Sequence, residues 1–103
     1  MEIKTLSLPR LNQLTPSLES TALKLMEEAG ELAQLIGKFR GLSGEATVHP
    51  EHLLAEDIAG ELLDVAQTAV TMMFVMEEAY GVDIGEMLKK HVTKLEKKGY
   101  LII

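Results

Sequence analysis

Apolar residues recur along this chain at alternating spacings of three and four, which is the period of an α-helix. The first such stretch predicts a helix over about 16–40. Thr15-Pro16 is a helix-start signal, because a capping hydroxyl precedes proline at the first helical position, and Gly41 is a suitable stop. The apolar positions of this helix form one expected seam: Leu18, Ala22, Leu25, Ala29, Leu32, Ile36 and Phe39.

The second stretch predicts a longer helix over about 51–80, which Pro50 opens and Gly81 ends. Its apolar residues lie on several sides of the helix, so most of its faces must be covered. Residues 41–49 are predicted to form the loop before it. A short lead-in, with a turn of helix near 11–14, is expected before the first helix.

The third stretch predicts a helix over about 84–98. Asp83 and Glu86 are spaced as a capping box at its start, and Gly99 closes it. Three helices in 103 residues are too few to cover the second helix on all sides. We therefore predict one domain over 1–103 with an all-α fold, a helical bundle completed by oligomerisation.

Composition narrows the class of protein. The chain has no cysteine, which excludes disulfides and thiolate metal sites, and the N-terminal residues lack the apolar core of a signal peptide. The apolar run 62–76 is shorter than the roughly 20 residues that a bilayer span needs. We expect a cytoplasmic protein with no membrane partner. A formal net charge of −6 also argues against nucleic acid as a partner.

Acidic residues form pairs on the first two predicted helices. Glu27, Glu28 and Glu31 fall within an arc of about 100°, beside the apolar seam. Glu61 and Asp64 are also three residues apart, about 60° around their helix. If the two helices pack antiparallel across the loop, these pairs face each other.

Four facing carboxylates repel one another, so some must be protonated or a cation must enter. Oxygen ligands favour hard ions such as Mg²⁺, Mn²⁺ and Ca²⁺. The lone charge in the run LLDVAQTAVTMMFVM, Asp64, would then be a metal ligand. Two simpler interpretations stay open: the glutamates form a solvated face in which Lys24 pairs with Glu27 or Glu28, and Asp64 lies at an edge or in an ion pair across a subunit contact.

Other metal chemistries are less compatible with the sequence. A ferritin-like di-iron bundle needs Glu-x-x-His motifs, and none occurs. His49 and His52 are three residues apart, but His49 precedes Pro50 and lies outside the predicted helix, which argues against a zinc site.

Basic residues concentrate at the other end of the chain. Residues 84–103 carry five basic and two acidic side chains, whereas residues 1–83 carry five and fourteen. His91, Lys94 and Lys98 form one stripe beside the apolar face of the third helix. Three other lysines are expected to point elsewhere: Lys89, Lys90 and Lys97. Lysines at a helix C-terminus also complement its dipole, but a cationic stripe near an acidic metal site suits a polyphosphate ligand.

The pattern E-E-x-x-E on one helix and E-x-x-D on the next resembles the MazG-type all-α nucleotide pyrophosphohydrolases. The segments LKLMEEAGELAQ and AGELLDVAQ, and the basic stripe leading into Lys98-Gly99-Tyr100, are also similar to that family. The resemblance covers about residues 16–100 of the single domain.

The resemblance implies an Mg²⁺-dependent enzyme, with Mn²⁺ as an alternative, that cleaves nucleoside triphosphates to monophosphate and pyrophosphate for nucleotide housecleaning or pool control. It also implies a homodimer or homotetramer. By position, the metal ligands would be Glu28, Glu31, Glu61 and Asp64.

The same resemblance assigns roles to four further residues. Glu27 would be an additional catalytic acid that orients water. Lys94 and Lys98 occupy positions where the family binds phosphate, and His91 stands where members often have asparagine. Two other functions remain alternatives: a phosphoribosyl-ATP pyrophosphatase-like enzyme, and a non-catalytic helical dimer.

Overall fold

The computed structural model describes residues 1–41 and 51–103, and this part of the chain contains three α-helices and no β-strand. The first helix, α1, spans Leu18–Phe39; α2 spans Glu51–Tyr80; and α3 spans Ile84–Lys97. The predicted all-α fold is confirmed. Apart from Gly41, the predicted loop over 41–49 lies outside the described residues, as does His49.

Local capping explains where the helices begin. Ser17 caps α1, because its hydroxyl accepts a hydrogen bond from the Ser20 backbone N–H at 3.1 Å, while the Ser20 hydroxyl accepts one from the Ser17 N–H at 2.9 Å. The helix therefore starts two residues later than the Thr15-Pro16 signal predicts. Asp83 Oδ1 accepts from the Glu86 N–H at 3.0 Å and caps α3, which confirms the Asp83 half of the predicted capping box.

Glycines end all three helices. Gly41, Gly81 and Gly99 have φ angles of 69°, 65° and 79°, a left-handed conformation that glycine adopts without a steric penalty. The three predicted helix ends are therefore confirmed to within a residue or two.

The helices α1 and α2 pack against each other, and the less exposed face of α1 overlaps the predicted seam in part. Four of the seven predicted seam residues are half-buried: Leu18, Leu25, Leu32 and Phe39. Ala22, Ala29 and Ile36 are exposed, whereas two polar residues of α1, Thr21 and Glu28, are buried. On the α2 side, Thr68 and Thr71 are buried. The predicted seam is therefore confirmed for part of its residues, and polar side chains share its face.

A single chain covers little of its apolar surface. Among the side chains that the structure describes, Leu54 is the one buried apolar residue. Several large apolar side chains of α1 and α2 are exposed: Leu23, Met26, Leu62, Leu63 and Met73. The two packed helices thus leave much of their apolar surface exposed in the single chain.

By length and composition, the stretch Leu54–Tyr80 is also apolar enough to cross a membrane, with a mean hydropathy of 1.4. The prediction from the sequence that the apolar run is too short to span a bilayer considered residues 62–76 alone. Length and composition are weak indications for a single helix, and this stretch carries Asp57, Glu61 and Asp64, whose charges are expensive in a bilayer. These acids and the packing on α1 favour a helix that protein covers.

The lead-in, residues 1–17, lies outside the helices, and the predicted turn near 11–14 is not helical. Part of it is attached to α2. Gln67 Nε2 donates a hydrogen bond to the Pro9 carbonyl at 2.9 Å. Arg10 forms an ion pair with Glu78 and lies over the Phe74 ring, with its guanidinium carbon 5.2 Å from the ring centre.

Candidate metal centre

Three carboxylates meet where α1 and α2 pack. One oxygen each from Glu28, Glu31 and Glu61 lies within 4.8 Å of the other two. Glu28 is buried and Glu61 is half-buried. We call this group the acidic cluster. The predicted approach of the acidic pairs from the two helices is thus found for three of the four proposed ligands.

Two oxygens of the acidic cluster lack hydrogen-bond partners. Glu28 Oε2 and Glu61 Oε2 are buried, and while both carboxylates are ionised no N–H or O–H group of the described residues donates a hydrogen bond to either oxygen. A buried polar atom without a partner is destabilising, by roughly 1–3 kcal/mol in general and more for charged groups. A divalent cation that prefers oxygen ligands would satisfy both atoms, so the residues present fit such an ion.

Lys24 supports one side of the acidic cluster. Its ammonium lies 3.0 Å from Glu28 Oε1 and 3.7 Å from Glu27 Oε1, one helical turn away on α1. This confirms the predicted pairing of Lys24 with these glutamates. The hydrogen bond to Glu28 raises the pKa of the Lys24 ammonium above its ordinary value.

The two buried acids differ in proton affinity. The hydrogen bond from Lys24 lowers the pKa of Glu28, with a smaller contribution from Glu61. Desolvation raises the pKa of Glu61, and Glu28 and the charge of Glu31 raise it further. Glu61 therefore retains its proton to higher pH than Glu28 does, and a cation in the acidic cluster would favour the ionised form of both.

Asp64 lies at the edge of this site. Its side chain is exposed and is not one of the three that converge, but its charge also raises the pKa of Glu61. Asp64 and Glu28 line the same cavity. Asp64 has no ion-pair partner within the described parts of the chain. The apolar run therefore accommodates the charge of Asp64 because this side chain is exposed to solvent, beside other acidic side chains.

Glu27 points to the outer side of α1. Its side chain is 58% exposed and its contact is with Lys24. The solvated-face interpretation therefore describes the surroundings of Glu27 better than those of Glu28. Its position next to the acidic cluster still leaves its carboxylate available to water.

Of the predicted phosphate-binding residues, His91 and Lys94 lie on α3 and Lys98 directly follows it. Lys94 and Lys98 line one groove together with the three lysines that were expected to point elsewhere, Lys89, Lys90 and Lys97, whereas exposed His91 does not line it. The expected separation of those three lysines from Lys94 and Lys98 was wrong. Among the residues described, no ion pair joins an α3 lysine to an acid of α1 or α2; Lys89 pairs with Glu86 of α3 itself, at 3.1 Å.

Polar side chains continue along α2 beyond Asp64. The Thr68 hydroxyl donates to the Asp64 carbonyl at 3.0 Å, and Gln67 Nε2 lies 3.4 Å from Thr71 Oγ1. Gln67 and Thr71 line the same cavity as Asp64, although neither was predicted as a site residue. Their spacing of three and seven positions from Asp64, on an apolar helix, is the signal that marks them.

The sequence of this chain matches a known protein family. Residues 16–99 match the family described as "MazG nucleotide pyrophosphohydrolase domain". This match covers most of the chain, and the chain belongs to that family, as the resemblance predicted. Membership supports nucleotide pyrophosphohydrolase activity in general. Comparisons with curated proteins and with solved structures gave no significant match.

Proposed function

We propose that the protein is an Mg²⁺-dependent nucleoside triphosphate pyrophosphohydrolase that converts (d)NTP and water to (d)NMP and pyrophosphate. The observation that carries this proposal is the acidic cluster, three converging carboxylates from two helices of a MazG-family chain, two of them with buried unpartnered oxygens. Such a cluster suits a cation that binds a polyphosphate.

Glu28, Glu31 and Glu61 would hold the metal, with Asp64 as a fourth ligand at the exposed edge. A bound Mg²⁺ would supply positive charge to the phosphates and lower the pKa of a coordinated water. Lys24 keeps Glu28 ionised and oriented, because it holds one oxygen of that carboxylate and leaves the other directed into the cluster.

The chain's own part in hydrolysis is the handling of protons and phosphate charge. The oxygen of water bonds to one of the two phosphorus atoms that flank the α–β bridging oxygen, the bond from that phosphorus to the bridging oxygen breaks, and monophosphate and pyrophosphate are the products. Glu27, exposed beside the acidic cluster, accepts the proton of the attacking water in this proposal. His91, Lys94 and Lys98 bind phosphate oxygens and absorb the charge that develops on them.

Substitution of one groove lysine tests this assignment. Lys94→Ala is expected to raise KM about ten-fold, the loss typical of one charge-assisted hydrogen bond to phosphate. Lys98→Ala should behave alike. Lys90 lines the same groove, so the matched control is Lys4→Ala, which removes an exposed lysine of the lead-in. Equal KM values for Lys94→Ala and Lys4→Ala would mean that α3 contributes only a diffuse positive field.

Self-association is part of the proposal. The described side chains bury a single apolar residue, Leu54, while Leu62, Leu63 and Met73 of α2 are exposed. We expect a homodimer or homotetramer that covers this surface. Sedimentation at micromolar concentration should show no folded monomer, and a stable monomer of 11.3 kDa would contradict the prediction.

The substitution Asp64→Asn tests whether Asp64 is a metal ligand or a charge that only stabilises the fold. With Mg²⁺, turnover should fall by at least about ten-fold, as the loss of metal-site groups typically does. Without metal, the melting temperature should stay equal or rise, because a charge that disfavours ionised Glu61 is removed. A variant that melts much lower in EDTA, beside a wild type that gains nothing from Mg²⁺, would identify Asp64 as structural.

A nucleotide panel with Mg²⁺ tests the proposed reaction itself. The eight common ribonucleoside and deoxyribonucleoside triphosphates are incubated with the protein, and pyrophosphate and monophosphate are both quantified. We expect equal amounts of the two products from at least one nucleotide. Release of orthophosphate and nucleoside diphosphate, or no release from any nucleotide, would refute the proposed reaction.

A further inference from the structure

A cavity of about 480 Å³ lies between the lead-in, the start of α1 and the middle of α2. The lead-in contributes an apolar side made of Leu11, Leu14 and Pro16. The helices contribute hydroxyl groups from Thr68 and Thr71. We call residues 9–16 of the lead-in the wall of this cavity.

The cavity adjoins the candidate metal centre, with which it shares Glu28. Glu28 and Asp64 line it, and so does Lys24, which binds Glu28. A ligand whose phosphates reach the acidic cluster would therefore place the rest of the molecule against the wall. The volume lies within the range of about 300–1,000 Å³ that small-molecule sites occupy.

The lining suits a nucleoside. A base offers two flat faces to apolar side chains, and its edge and the attached sugar offer hydrogen-bonding groups. Leu11 and Leu14 supply apolar surface for the faces of the base, and the Thr71 hydroxyl and the Gln67 amide supply hydrogen-bonding groups for its edge or the sugar. The Gln67 amide nitrogen already donates to the wall at Pro9 and lies within 3.4 Å of Thr71, so its carbonyl oxygen is the part that remains for a ligand.

The wall is held at its first two residues. Gln67 Nε2 donates to the Pro9 carbonyl at 2.9 Å, and Arg10 both pairs with Glu78 and stacks on Phe74. We call these contacts of Pro9 and Arg10 with α2 the latch. They join residues far apart in sequence, so they fix the wall to α2.

Packing between the wall and α2 is incomplete. Besides the first cavity, a second cavity of about 180 Å³ is lined by Leu11 and Leu14 together with Phe74 and Val75 of α2. Because two cavities interrupt the contact of the wall with α2, the contacts of Pro9 and Arg10 contribute strongly to its position.

We propose that the wall forms one side of the nucleoside-binding site, and that the Arg10 latch positions it. This inference rests on the proposed function, since it assigns the nucleoside half of the same substrate. Leu11 and Leu14 contact the base or sugar, and Arg10 is a positioning residue that acts through them. The wall thereby contributes to the choice among nucleotides.

The test compares Leu14→Ala with Leu6→Ala. Both residues lie in the lead-in, and both are largely exposed, at 66% and 56%, so neither change is expected to unfold the protein. Leu6 does not line the cavity. Equilibrium binding of a panel of nucleoside monophosphates and of pyrophosphate is measured with Mg²⁺ for both variants and the wild type.

We expect Leu14→Ala to weaken monophosphate binding about ten-fold, within the range that lost apolar contacts produce in a pocket. Pyrophosphate binding should be unchanged, and Leu6→Ala should match the wild type for both probes. Arg10→Ala should raise KM by a smaller factor with kcat unchanged, and Arg10→Lys should recover part of the loss by keeping a cation beside Glu78.

Failure of this inference is distinct from failure of the proposed function. If the wild type releases pyrophosphate while Leu14→Ala binds monophosphates as Leu6→Ala does, the wall is not part of the site. Equal losses for monophosphate and pyrophosphate would likewise overturn it. If the wild type shows the expected binding pattern but hydrolyses no triphosphate, the nucleoside site stands and the enzymatic proposal fails.

Discussion

Glu61→Gln is expected to lower pyrophosphate release by at least about 100-fold, because even the groups that support metal ligands typically change activity by 10–100-fold. Glu61 contributes one of the three converging carboxylates and has a buried oxygen without a partner. The amide keeps the shape of the side chain but loses the charge that attracts a cation. Initial rates at saturating Mg²⁺ and nucleotide measure the effect.

The matched control for this substitution is Glu56→Gln. Glu56 lies on the same helix, α2, and is exposed. Its replacement removes the same charge without touching the acidic cluster, so the rate should stay within about two-fold of the wild type, as expected for an exposed site away from the chemistry. An equal fall in both variants would indicate a general effect of net charge, and an active Glu61→Gln would exclude Glu61 as a ligand.

Mg²⁺ is expected to stabilise the wild type strongly. At a free concentration 100 times its Kd, a ligand that binds only the folded state adds about 2.7 kcal/mol. For a domain of this size that corresponds to a rise in Tm of roughly 10–20 °C. Thermal melting in EDTA and in Mg²⁺ measures the gain, which should largely disappear in Glu28→Gln because the cation then loses a buried ligand.

The pH dependence of the metal-free protein follows from Glu61. Its folded pKa is raised above the ordinary 4.5, so the folded state binds this proton more tightly than the unfolded state does. Its contribution to stability is therefore present at low pH and is lost as pH rises from 4.5 through the raised value. In EDTA, Tm of the wild type should fall relative to Glu61→Gln over that interval, and Mg²⁺ should remove the difference. Parallel curves in EDTA would contradict the prediction.

Helix boundaries were the part of this fold that the sequence predicted best. Gly41, Gly81 and Gly99 each adopt the left-handed conformation that ends a helix, and Asp83 caps α3. These signals are local, and the chain within a few residues determines them. The start of α1 at Ser17 differs because two hydroxyls, Ser17 and Ser20, cap each other more completely than the Thr15-Pro16 signal suggests.

Apolar periodicity predicted the packed face of α1 only in part. Leu18, Leu25, Leu32 and Phe39 of the predicted seam are half-buried, but the buried residues of α1 are Thr21 and Glu28, and Ala22, Ala29 and Ile36 are exposed. Apolar side chains recur along a helix at the same spacing whether the single chain buries them or leaves them exposed. The pattern therefore identifies an amphipathic helix without specifying which element covers each side.

The acidic cluster was predicted more closely than the contacts of the lead-in. The i, i+3 spacing on two adjacent helices predicted the approach of Glu28, Glu31 and Glu61, whereas Asp64, at the same spacing from Glu61, is exposed at the edge. By contrast, Arg10 and Glu78 are 68 positions apart. Such a pair depends on how the lead-in crosses α2, and no local motif indicates it.

Titration of metal-free protein with Mn²⁺, beside pyrophosphate release, tests most directly whether the acidic cluster is the cation site on which hydrolysis depends. Mn²⁺ prefers the same oxygen ligands and can be followed by its electron paramagnetic resonance. We expect affinity and turnover to fall together in Glu28→Gln and Glu61→Gln, and both to be retained in Glu56→Gln. Full Mn²⁺ binding and full turnover in Glu61→Gln would contradict the account.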